Sequence, residues 1–382
     1  MAETDDLKLL AMLVHRGQIE RGAAEALLAE SKASGRRPLE LAVGKGLFTR
    51  ERLDHLRRVE SEDVPELPGF EALGIAGRGG TAVVVRAKDR KAGRELAIKV
   101  LRRDFENDAK IKASFLREAK LLIGLKHPNI VAGEKVGSFQ GRLVFLMEYV
   151  PGRSLQDLLK AGKTFEEDQA LYIVLQVARA LTYLAANGVV HRDIKPGNVL
   201  ITDRNEVKLI DLGFAASVGE SEPAGAQGSG PTTVGTVAYI SPEQARGQSD
   251  LDVRSDIYSL GATLYQLVAG ELPFSGQDNQ EVLAAQILAS LSSEVLKSRR
   301  ISPHMHYFIE KMMAKEREVR YQSPAELIAD IEQQIRGKKS FEFDPAAAAG
   351  GAAAGELLKK PFEEAVKPSR PIAPIVRRRR PR

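Results

Sequence analysis

The chain has 382 residues, no cysteine and a formal net charge of +5. The lack of cysteine excludes disulfide bonds, thiolate catalysis and cysteine-ligated metal sites. No apolar run approaches the roughly 18 residues that a membrane-spanning helix needs. The first residues, Met-Ala-Glu-Thr-Asp-Asp, are acidic and lack the basic and apolar regions of a secretory signal. We therefore expect a soluble, cytoplasmic protein whose length allows two or three domains.

Positive charge is concentrated near the C-terminal end. Residues 341–382 hold nine Lys or Arg and five Asp or Glu, so the rest of the chain carries only +1. The charge of residues 1–340 therefore does not indicate that they bind nucleic acid. Residues 337–382 are rich in Ala and Gly and then in Pro, which predicts disorder. The Arg377–Arg380 run would attract acidic partners, nucleic acid or anionic lipid, or would serve only as a solubilising tail.

Residues 1–60 show apolar side chains at helical spacing and an internal repeat. Each half reads as a helix, a glycine turn and a second helix, so two helix pairs are predicted. Chance similarity between helical stretches is one explanation. The other is a docking module without catalytic residues, similar to small helical domains attached to bacterial signalling and secretion proteins. The matching pairs are Leu10 and Leu39, Val14 and Val43, Gly17 and Gly46, Arg21 and Arg50, and Leu27 and Leu56.

A proline-containing linker and a glycine-rich stretch come next. Residues 61–69 hold two prolines and three acidic residues, which indicates a linker. Residues 76–84 read A-G-R-G-G-T-A-V-V. Glycine lets main-chain amides approach phosphate oxygens closely, although an ordinary glycine-rich hairpin would have the same composition. A strand-like run with Lys99, a helical pattern with Glu118 and a buried strand at 143–150 follow.

The most informative stretch is 191–213, which reads H-R-D-I-K-P-G-N-V-L-I-T-D-R-N-E-V-K-L-I-D-L-G. Two short apolar runs flank a turn-like segment, which predicts a small hairpin. A hairpin brings its two ends together, so Asp193, Asn198 and Asp211 can converge with Lys195 beside them. Two carboxylates, an amide oxygen and an ammonium group suit a magnesium-bound phosphate next to a hydroxyl nucleophile.

Together these patterns resemble protein kinases, and most of all the bacterial branch of the eukaryotic-type (Hanks-type) serine/threonine kinases. H-R-D-x-K-x-x-N followed by D-x-G matches the catalytic and metal-binding loops of that family. Ala82 departs from the pattern at the third glycine of G-x-G-x-x-G-x-V, and D-L-G replaces D-F-G. The resemblance covers 70–336 and implies a two-lobed α+β fold preceded by the small helical domain. A β-rich N-lobe would occupy 70–150 and a helical C-lobe 151–336.

The resemblance also implies an activity, a cofactor and a set of site residues. The activity would be transfer of phosphate from ATP to Ser or Thr hydroxyls of proteins, with Mg²⁺ as the metal ion. Asp193 would take or orient the proton of the acceptor hydroxyl, Lys195 would steady the γ-phosphate, and Asn198 and Asp211 would hold magnesium. The implied ATP-binding residues are Ala76, Gly77, Arg78, Gly79, Gly80, Thr81, Ala82, Val83, Val84, Ala97, Lys99 with its partner Glu118, the gatekeeper Met147, and Glu148 and Val150 through their main chain.

Two structural roles follow from the same resemblance. The sequence Ser241-Pro242-Glu243 replaces the family's A-P-E, and Glu243 would form a buried pair with Arg320. Asp256, in the sequence S-D-I-Y-S-L-G, would brace the main chain of the catalytic loop.

Residues 215–233 are small and polar, which predicts a mobile activation segment. Thr232 and Thr233 are candidates for autophosphorylation, and Ser229 is a weaker one. Arg192 could bind a phosphate added there. Thr236 matches the family's threonine that contacts the catalytic Asp and Lys.

Two other functions compete with protein phosphorylation. A pseudokinase scaffold would bind partners through residues 1–60 and the basic tail, but every catalytic position is present in this sequence. A small-molecule kinase of the same fold would carry the same motifs. The S-P-E sequence and the Gly235-Thr236 segment favour protein substrates.

Overall fold

The computed structural model describes residues 2–15, 19–50, 53, 64–65, 67–213, 215–217, 237–291 and 301–337. The chain divides into two compact units. The first comprises the chain up to Gly124 together with Ala132–Tyr149, and the second comprises Leu125–Val131 and the chain from Val150 onward. The segment 125–131, which follows the predicted helix with Glu118, thus belongs to the second unit.

The N-terminal helices build a hydrophobic core of their own. Asp6 in the first helix is almost fully buried and forms an ion pair with Arg37, which immediately precedes the third helix. Gly46 follows that helix with φ +72°, a conformation that glycine adopts without steric cost. The helices are α1 (Ala2–His15), α2 (Arg21–Ser34) and α3 (Pro38–Gly44). Their buried core includes Leu9, Leu10, Leu13, Leu27, Leu39, Leu41 and Leu53.

The rest of the first unit is a five-stranded antiparallel sheet with one long helix. The strand order is β1-β2-β3-β5-β4. Alternate side chains of β2 are buried over most of its length, as expected for a strand with one face on a core, whereas most of β3 is buried. Val64 and Leu67, from the predicted linker, also pack against this core. The elements are β1 (Phe70–Arg78), β2 (Ala82–Asp89), β3 (Glu95–Leu101), α4 (Ala109–Gly124), β4 (Gly133–Phe139) and β5 (Arg142–Glu148).

Helix α4 and strand β4 approach each other very closely at Gly133. A Cβ atom on Gly133 would lie 2.7 Å from Ile123 N and 2.8 Å from Leu122 C. Both are main-chain atoms, so a larger residue would push the helix away from the sheet. Glycine at this position therefore sets the distance of α4 from the sheet, and α4 carries Glu118.

The second unit is mainly helical. Helix α6 lies at its centre and packs against α8 and α11. Three short strands pair antiparallel in the order β6-β8-β9, and β7 pairs with β10. The helices are α5 (Leu155–Lys160), α6 (Glu167–Ala186), α7 (Pro242–Ala245), α8 (Val253–Ala269), α9 (Asn279–Leu288), α10 (Pro303–Met312) and α11 (Pro324–Gly337). The strands are β6 (Gly152–Ser154), β7 (Val189–Val190), β8 (Val199–Thr202), β9 (Val207–Leu209) and β10 (Ala216–Ser217).

Helix α6 is the one described helix whose length and apolar composition would also suit a membrane span. Most of its apolar stretch, 61%, is buried inside the protein. Burial of that kind is typical of the central helix of a globular domain. The predicted α+β class, with a β-rich N-terminal part and a helical C-terminal part, is confirmed.

A fully buried ion pair joins α7 to the segment before α11. The side chains of Arg320 and Glu243 are 0% and 2% exposed, and Arg320 Nη1 lies 2.7 Å from Glu243 Oε1. Burial pushes the pKa of Glu243 up, but hydrogen bonds and charge from Arg320 outweigh it, and the pKa is lowered. Arg320 also donates to the carbonyls of Ala314 and Lys315. The two buried charges therefore pair with each other, as the resemblance to the family implied.

Replacement of Arg320 by Met should destabilise the protein strongly, because it leaves the Glu243 carboxylate buried without its partner. Breaking a buried pair from one side costs about 3–5 kcal/mol. The loss is measured as the free energy of unfolding in urea. Arg317→Met is the matched control, since its partner Asp250 is 69% exposed, and it should cost far less. Equal losses in the two variants would contradict the interpretation.

Candidate active site

The predicted phosphate-binding loop is the tight turn between β1 and β2. Gly79 N donates to Ala82 O at 2.8 Å, which closes the turn. Arg102 N donates to Thr81 O at 2.9 Å and ties the turn to the end of β3. A Cβ on Gly79 would lie 3.3 Å from Ala82 O, so glycine fits the turn better than a larger residue. Residues 76–84 therefore span the turn and the adjoining ends of β1 and β2.

Lys99 lies on β3 and contacts the carboxylate of Glu118 on α4. The Lys99 Nζ atom is 2.6 Å from Oε1 and 2.7 Å from Oε2 of Glu118. The two side chains are 16% and 6% exposed, so water screens their attraction only weakly. The two residues are 19 positions apart in the sequence, and the resemblance to the family implied this pair.

The end of β5 holds the residues expected at the adenine. Met147 is buried and pairs in register with Ala97 on β3. The main-chain N–H of Glu148 donates to Ala132 O at 2.9 Å, and its Oε2 accepts from Ala132 N at 3.1 Å. A contact from Glu148 to an adenine would therefore use its carbonyl. Val150 is buried and belongs to the second unit.

The catalytic loop brings three polar side chains together. Asn198 donates through Nδ2 to the main-chain O and to Oδ2 of Asp193, both at 2.8 Å. The Lys195 Nζ atom lies 2.9 Å from Oδ1 and 2.8 Å from Oδ2 of the same carboxylate. Burial raises the pKa of Asp193, while Lys195 and Asn198 partly counter that effect. Asp193 is therefore a desolvated carboxylate held by two donors, the form expected of a group that receives a proton.

Asp211 joins this cluster through the predicted hairpin. Strands β8 and β9 pair antiparallel, and Ile210 N donates to Asn198 O at 3.1 Å. Asp211 therefore follows a residue bonded directly to Asn198. Its Oδ1 accepts from Gly213 N at 2.8 Å. Leu212 lies between these two residues and is buried, so the leucine of D-L-G packs in the interior at the position where the family has phenylalanine.

The oxygen-rich donor set suits a hard divalent cation. Asn198 commits its amide nitrogen to Asp193, which leaves the amide oxygen as its ligand atom, and Asp211 supplies a carboxylate. Within the described ranges, no group of three or more His, Cys, Asp or Glu side chains forms a metal cage. Mg²⁺ typically takes one or two carboxylates and completes its shell with phosphate oxygens and water, so the residues present fit such an ion.

Asp256 on α8 holds the main chain of the catalytic loop. Its Oδ2 accepts from His191 N at 2.8 Å, and its Oδ1 accepts from Arg192 N at 2.7 Å. Complete burial raises the pKa of Asp256 to about 7, while the two N–H groups act in the opposite direction. Arg192 has φ +67°, a left-handed conformation that costs a non-glycine residue about 1–2 kcal/mol. The two hydrogen bonds offset this cost and present Asp193 at a fixed position.

His191 is fully buried behind the loop, and burial lowers its pKa to about 4. The imidazole is therefore neutral near pH 7, and its Nδ1 accepts from Asp193 N at 3.3 Å.

The role of Gln244 could not be recognised from the sequence. Its Nε2 donates to Arg192 O at 2.9 Å, while its Oε1 accepts from Ser241 N at 3.2 Å. Ser241 and Gln244 form a capping box at the start of α7. The S-x-x-Q spacing is a recognisable capping signal, and it could have predicted this helix start. It could not have predicted the bond to the catalytic loop.

The candidate phosphorylation sites Ser229, Thr232 and Thr233 lie outside the described residues. Thr236 and the basic Arg377–Arg380 run also lie outside them.

Comparison with known proteins agrees with this geometry. A family model described as "Protein kinase domain" matches residues 70–330. A probable serine/threonine-protein kinase of Streptomyces coelicolor is 36% identical over 299 residues, which cover 77% of this chain and 44% of the relative. The serine/threonine-protein kinase PknB of Mycobacterium leprae is 37% identical over 266 residues, covering 69% of this chain and 42% of the relative. PknB of Mycobacterium tuberculosis is 35% identical over 273 residues, covering 70% and 43%.

The chain therefore belongs to the protein kinase domain family, and the predicted resemblance is confirmed. Membership of this family implies use of ATP and a divalent metal ion. The chain spans about two fifths of the length of the curated relatives that it matches.

Replacement of Asp256 by Ala should lower kcat and leave the KM for ATP nearly unchanged. The change leaves two buried N–H groups unpaired and releases the strained Arg192, so Asp193 is no longer held in place. Misplacement of a reacting group by about 1 Å can cost about 10²-fold in rate. Asp252→Ala is the control, since Asp252 caps the same helix by accepting from Arg254 N. An equal loss of kcat in both variants would show that Asp256→Ala acts only by destabilising the protein.

Proposed function

We propose that the protein phosphorylates serine and threonine hydroxyls of other proteins with ATP. The observation that carries the proposal is the geometry of the catalytic loop, where Lys195 and Asn198 both contact the largely buried carboxylate of Asp193. Such a carboxylate can orient an acceptor hydroxyl and take its proton. The relatives, which are named as serine/threonine-protein kinases, support hydroxyl acceptors of this type.

Binding of the nucleotide is assigned to the first unit. Main-chain amides of the turn between β1 and β2 other than that of Gly79, which is bonded to Ala82 O, would contact phosphate oxygens, and Lys99 would bind the α- and β-phosphates. Glu118 holds the Lys99 ammonium at a fixed position, so less side-chain entropy is lost when ATP binds. Ala97 and Met147 are buried neighbours on adjacent strands and would contact the adenine ring.

Phosphoryl transfer is assigned to the second unit. Asp193 would orient the acceptor hydroxyl and accept its proton as the new phosphate ester forms. Lys195 would balance charge on the transferred group, because its ammonium already lies beside Asp193. Asn198 and Asp211 would hold the divalent cation, which we take to be Mg²⁺. When bound, that ion neutralises charge on the phosphate oxygens.

Asp193→Ala and Lys99→Met should each abolish phosphate transfer while the fold survives. Loss of an acid–base group alone lowers the rate by about 10² to 10⁴. Transfer of label from γ-labelled ATP to protein measures the effect, and thermal unfolding checks the fold. Two matched controls should remain active: Asp203→Ala in the exposed turn of the hairpin, and Lys88→Met on the neighbouring strand. Full labelling by a folded Asp193→Ala protein would exclude the assignment.

Residues 1–60 are proposed to be a docking module for another protein. The support is their separate core, since the buried leucines of α1–α3 pack against one another. The domain boundaries at 60, 70, 150 and 336 are part of the same proposal. So is a cytoplasmic location, which suits an enzyme that needs ATP. An acidic partner for the Arg377–Arg380 run rests on charge alone.

Deletion of residues 1–60 should leave activity on a short peptide close to that of the full chain. The deletion keeps Val64 and Leu67, which pack against the sheet, so the kinase core retains its contacts. The measurement compares the initial rates of the two proteins on the same peptide. Loss of folding or of all activity would show that these helices are integral to the catalytic domain.

Regulation by phosphorylation of the activation segment is also proposed. A phosphate on Thr232 or Thr233 adds about −1.5 to −2 charge, which could bind the Arg192 guanidinium and order the segment. Transfer would occur between two molecules.

A double Thr232→Ala and Thr233→Ala variant should therefore have lower activity than the parent protein. Mass spectrometry of protein produced with Asp193 or with Asp193→Ala identifies which sites are self-modified. A Ser229→Ala variant is the control and should behave like the parent. Unchanged activity of the double variant would place the switch elsewhere or show that there is none.

A further inference from the structure

A buried carboxamide joins helix α9 to the main chain at 237–238. Gln286 is 0% exposed, and its Nε2 donates to Ala238 O at 2.7 Å and to Val237 O at 3.4 Å. Its Oε1 accepts a hydrogen bond from the Tyr258 hydroxyl at 2.6 Å. The Gln286 side chain thus connects α9 and α8 to residues 237–238, which it contacts through their main-chain carbonyls.

Lys315 fixes the main chain of Gln286 from the other side. The Lys315 Nζ atom lies 2.7 Å from Gln286 O and 3.2 Å from the Tyr258 hydroxyl, and 4.2 Å from the centre of the Phe274 ring. It therefore satisfies a carbonyl at the C-terminal end of α9, where helix carbonyls lack partners within the helix. The main-chain carbonyl and the side chain of Gln286 are both held. Its carboxamide nitrogen is therefore directed at the carbonyls of Val237 and Ala238.

The segment that Gln286 holds also contacts the catalytic loop. Gln244 closes the capping box at the start of α7 and donates to Arg192 O at 2.9 Å. Arg192 immediately precedes Asp193. The segment 237–245 is therefore anchored at one end by Gln286 and at the other by the catalytic loop. Because this segment is bonded to the residue next to Asp193, the residues that flank an acceptor hydroxyl at Asp193 would lie beside it.

We propose that Gln286 is a positioning residue for the polypeptide acceptor, a role that rests on the protein kinase function proposed above. The peptide unit is planar and trans, so a fixed carbonyl also fixes the N–H on its opposite side. By holding the carbonyls of Val237 and Ala238, Gln286 sets the orientation of the main chain beside the bound polypeptide. Gln286 touches neither nucleotide nor acceptor, and its effect is confined to how the acceptor binds.

The test is a Gln286→Glu variant of the full chain. The carboxylate keeps the size of the side chain and an acceptor for Tyr258, but it has no donor for Ala238 O. The probes are Mg-ATP and the best substrate from a threonine-centred peptide library. The KM for the peptide should rise by about five- to 100-fold, which corresponds to the loss of one buried hydrogen bond. The KM for ATP and the rate of ATP hydrolysis without peptide should stay at the parent values.

A matched control separates positioning from stability. Gln176→Glu places a carboxylate at another buried carboxamide, whose Nε2 donates to Asn205 O at 3.0 Å. This control should lower the unfolding temperature and leave the ratio of the two KM values unchanged. Tyr258→Phe removes the bond that holds Gln286 Oε1, so it should raise the peptide KM by less than Gln286→Glu does. The same rise of peptide KM in Gln176→Glu would overturn the proposal.

If Gln286→Glu does not fold, Gln286→Met gives the same test, because it fills the space without any donor. An unchanged peptide KM in a folded Gln286 variant, or an equal rise for peptide and ATP, overturns the inference alone. If the parent protein phosphorylates no member of the library, the proposed function itself fails, and the inference fails with it.

Discussion

The catalytic loop depends on the buried carboxylate of Asp256. A charged group in the interior is costly unless it is hydrogen-bonded, and here the partners are the main-chain N–H groups of His191 and Arg192. In return, these bonds hold Arg192 in a left-handed conformation that the chain would otherwise avoid. The carboxylate and the strained loop therefore stabilise each other. These bonds therefore also fix the position of Asp193, which follows Arg192 directly.

Ion pairs that are partly or fully buried fix three functional segments of this protein. Lys99 is held by Glu118, and Asp193 by Lys195. Glu243 is held by Arg320 at the segment that also contacts the catalytic loop. Each pair is desolvated, so each is sensitive to the loss of one member and specifies a single geometry. Apolar packing of α6, α8 and α11 supplies stability around these pairs.

Much of the site could be predicted from the sequence because its motifs are local. The β8–β9 hairpin brings Asp211 next to Asn198, and the loop that precedes it brings Asn198 to Asp193. The pairs of Lys99 with Glu118 and of Glu243 with Arg320 were found only by resemblance to the family, since nothing in their spacing places them together. Gln286 was missed, because a glutamine in a helix of low amphipathicity gives no sign that its partners are main-chain carbonyls 48 and 49 residues away. The close approach of α4 and β4 at Gly133 could not be predicted from the sequence either.

The central claim is that the cluster of Asp193, Asn198 and Asp211 transfers the γ-phosphate of ATP to hydroxyl side chains. The most direct measurement is phosphoamino-acid analysis of a protein mixture incubated with the full chain, Mg²⁺ and γ-labelled ATP. The account predicts label in phosphoserine and phosphothreonine, and loss of that label with a folded Asp211→Asn variant. Label confined to phosphotyrosine, or undiminished labelling by the variant, would contradict it.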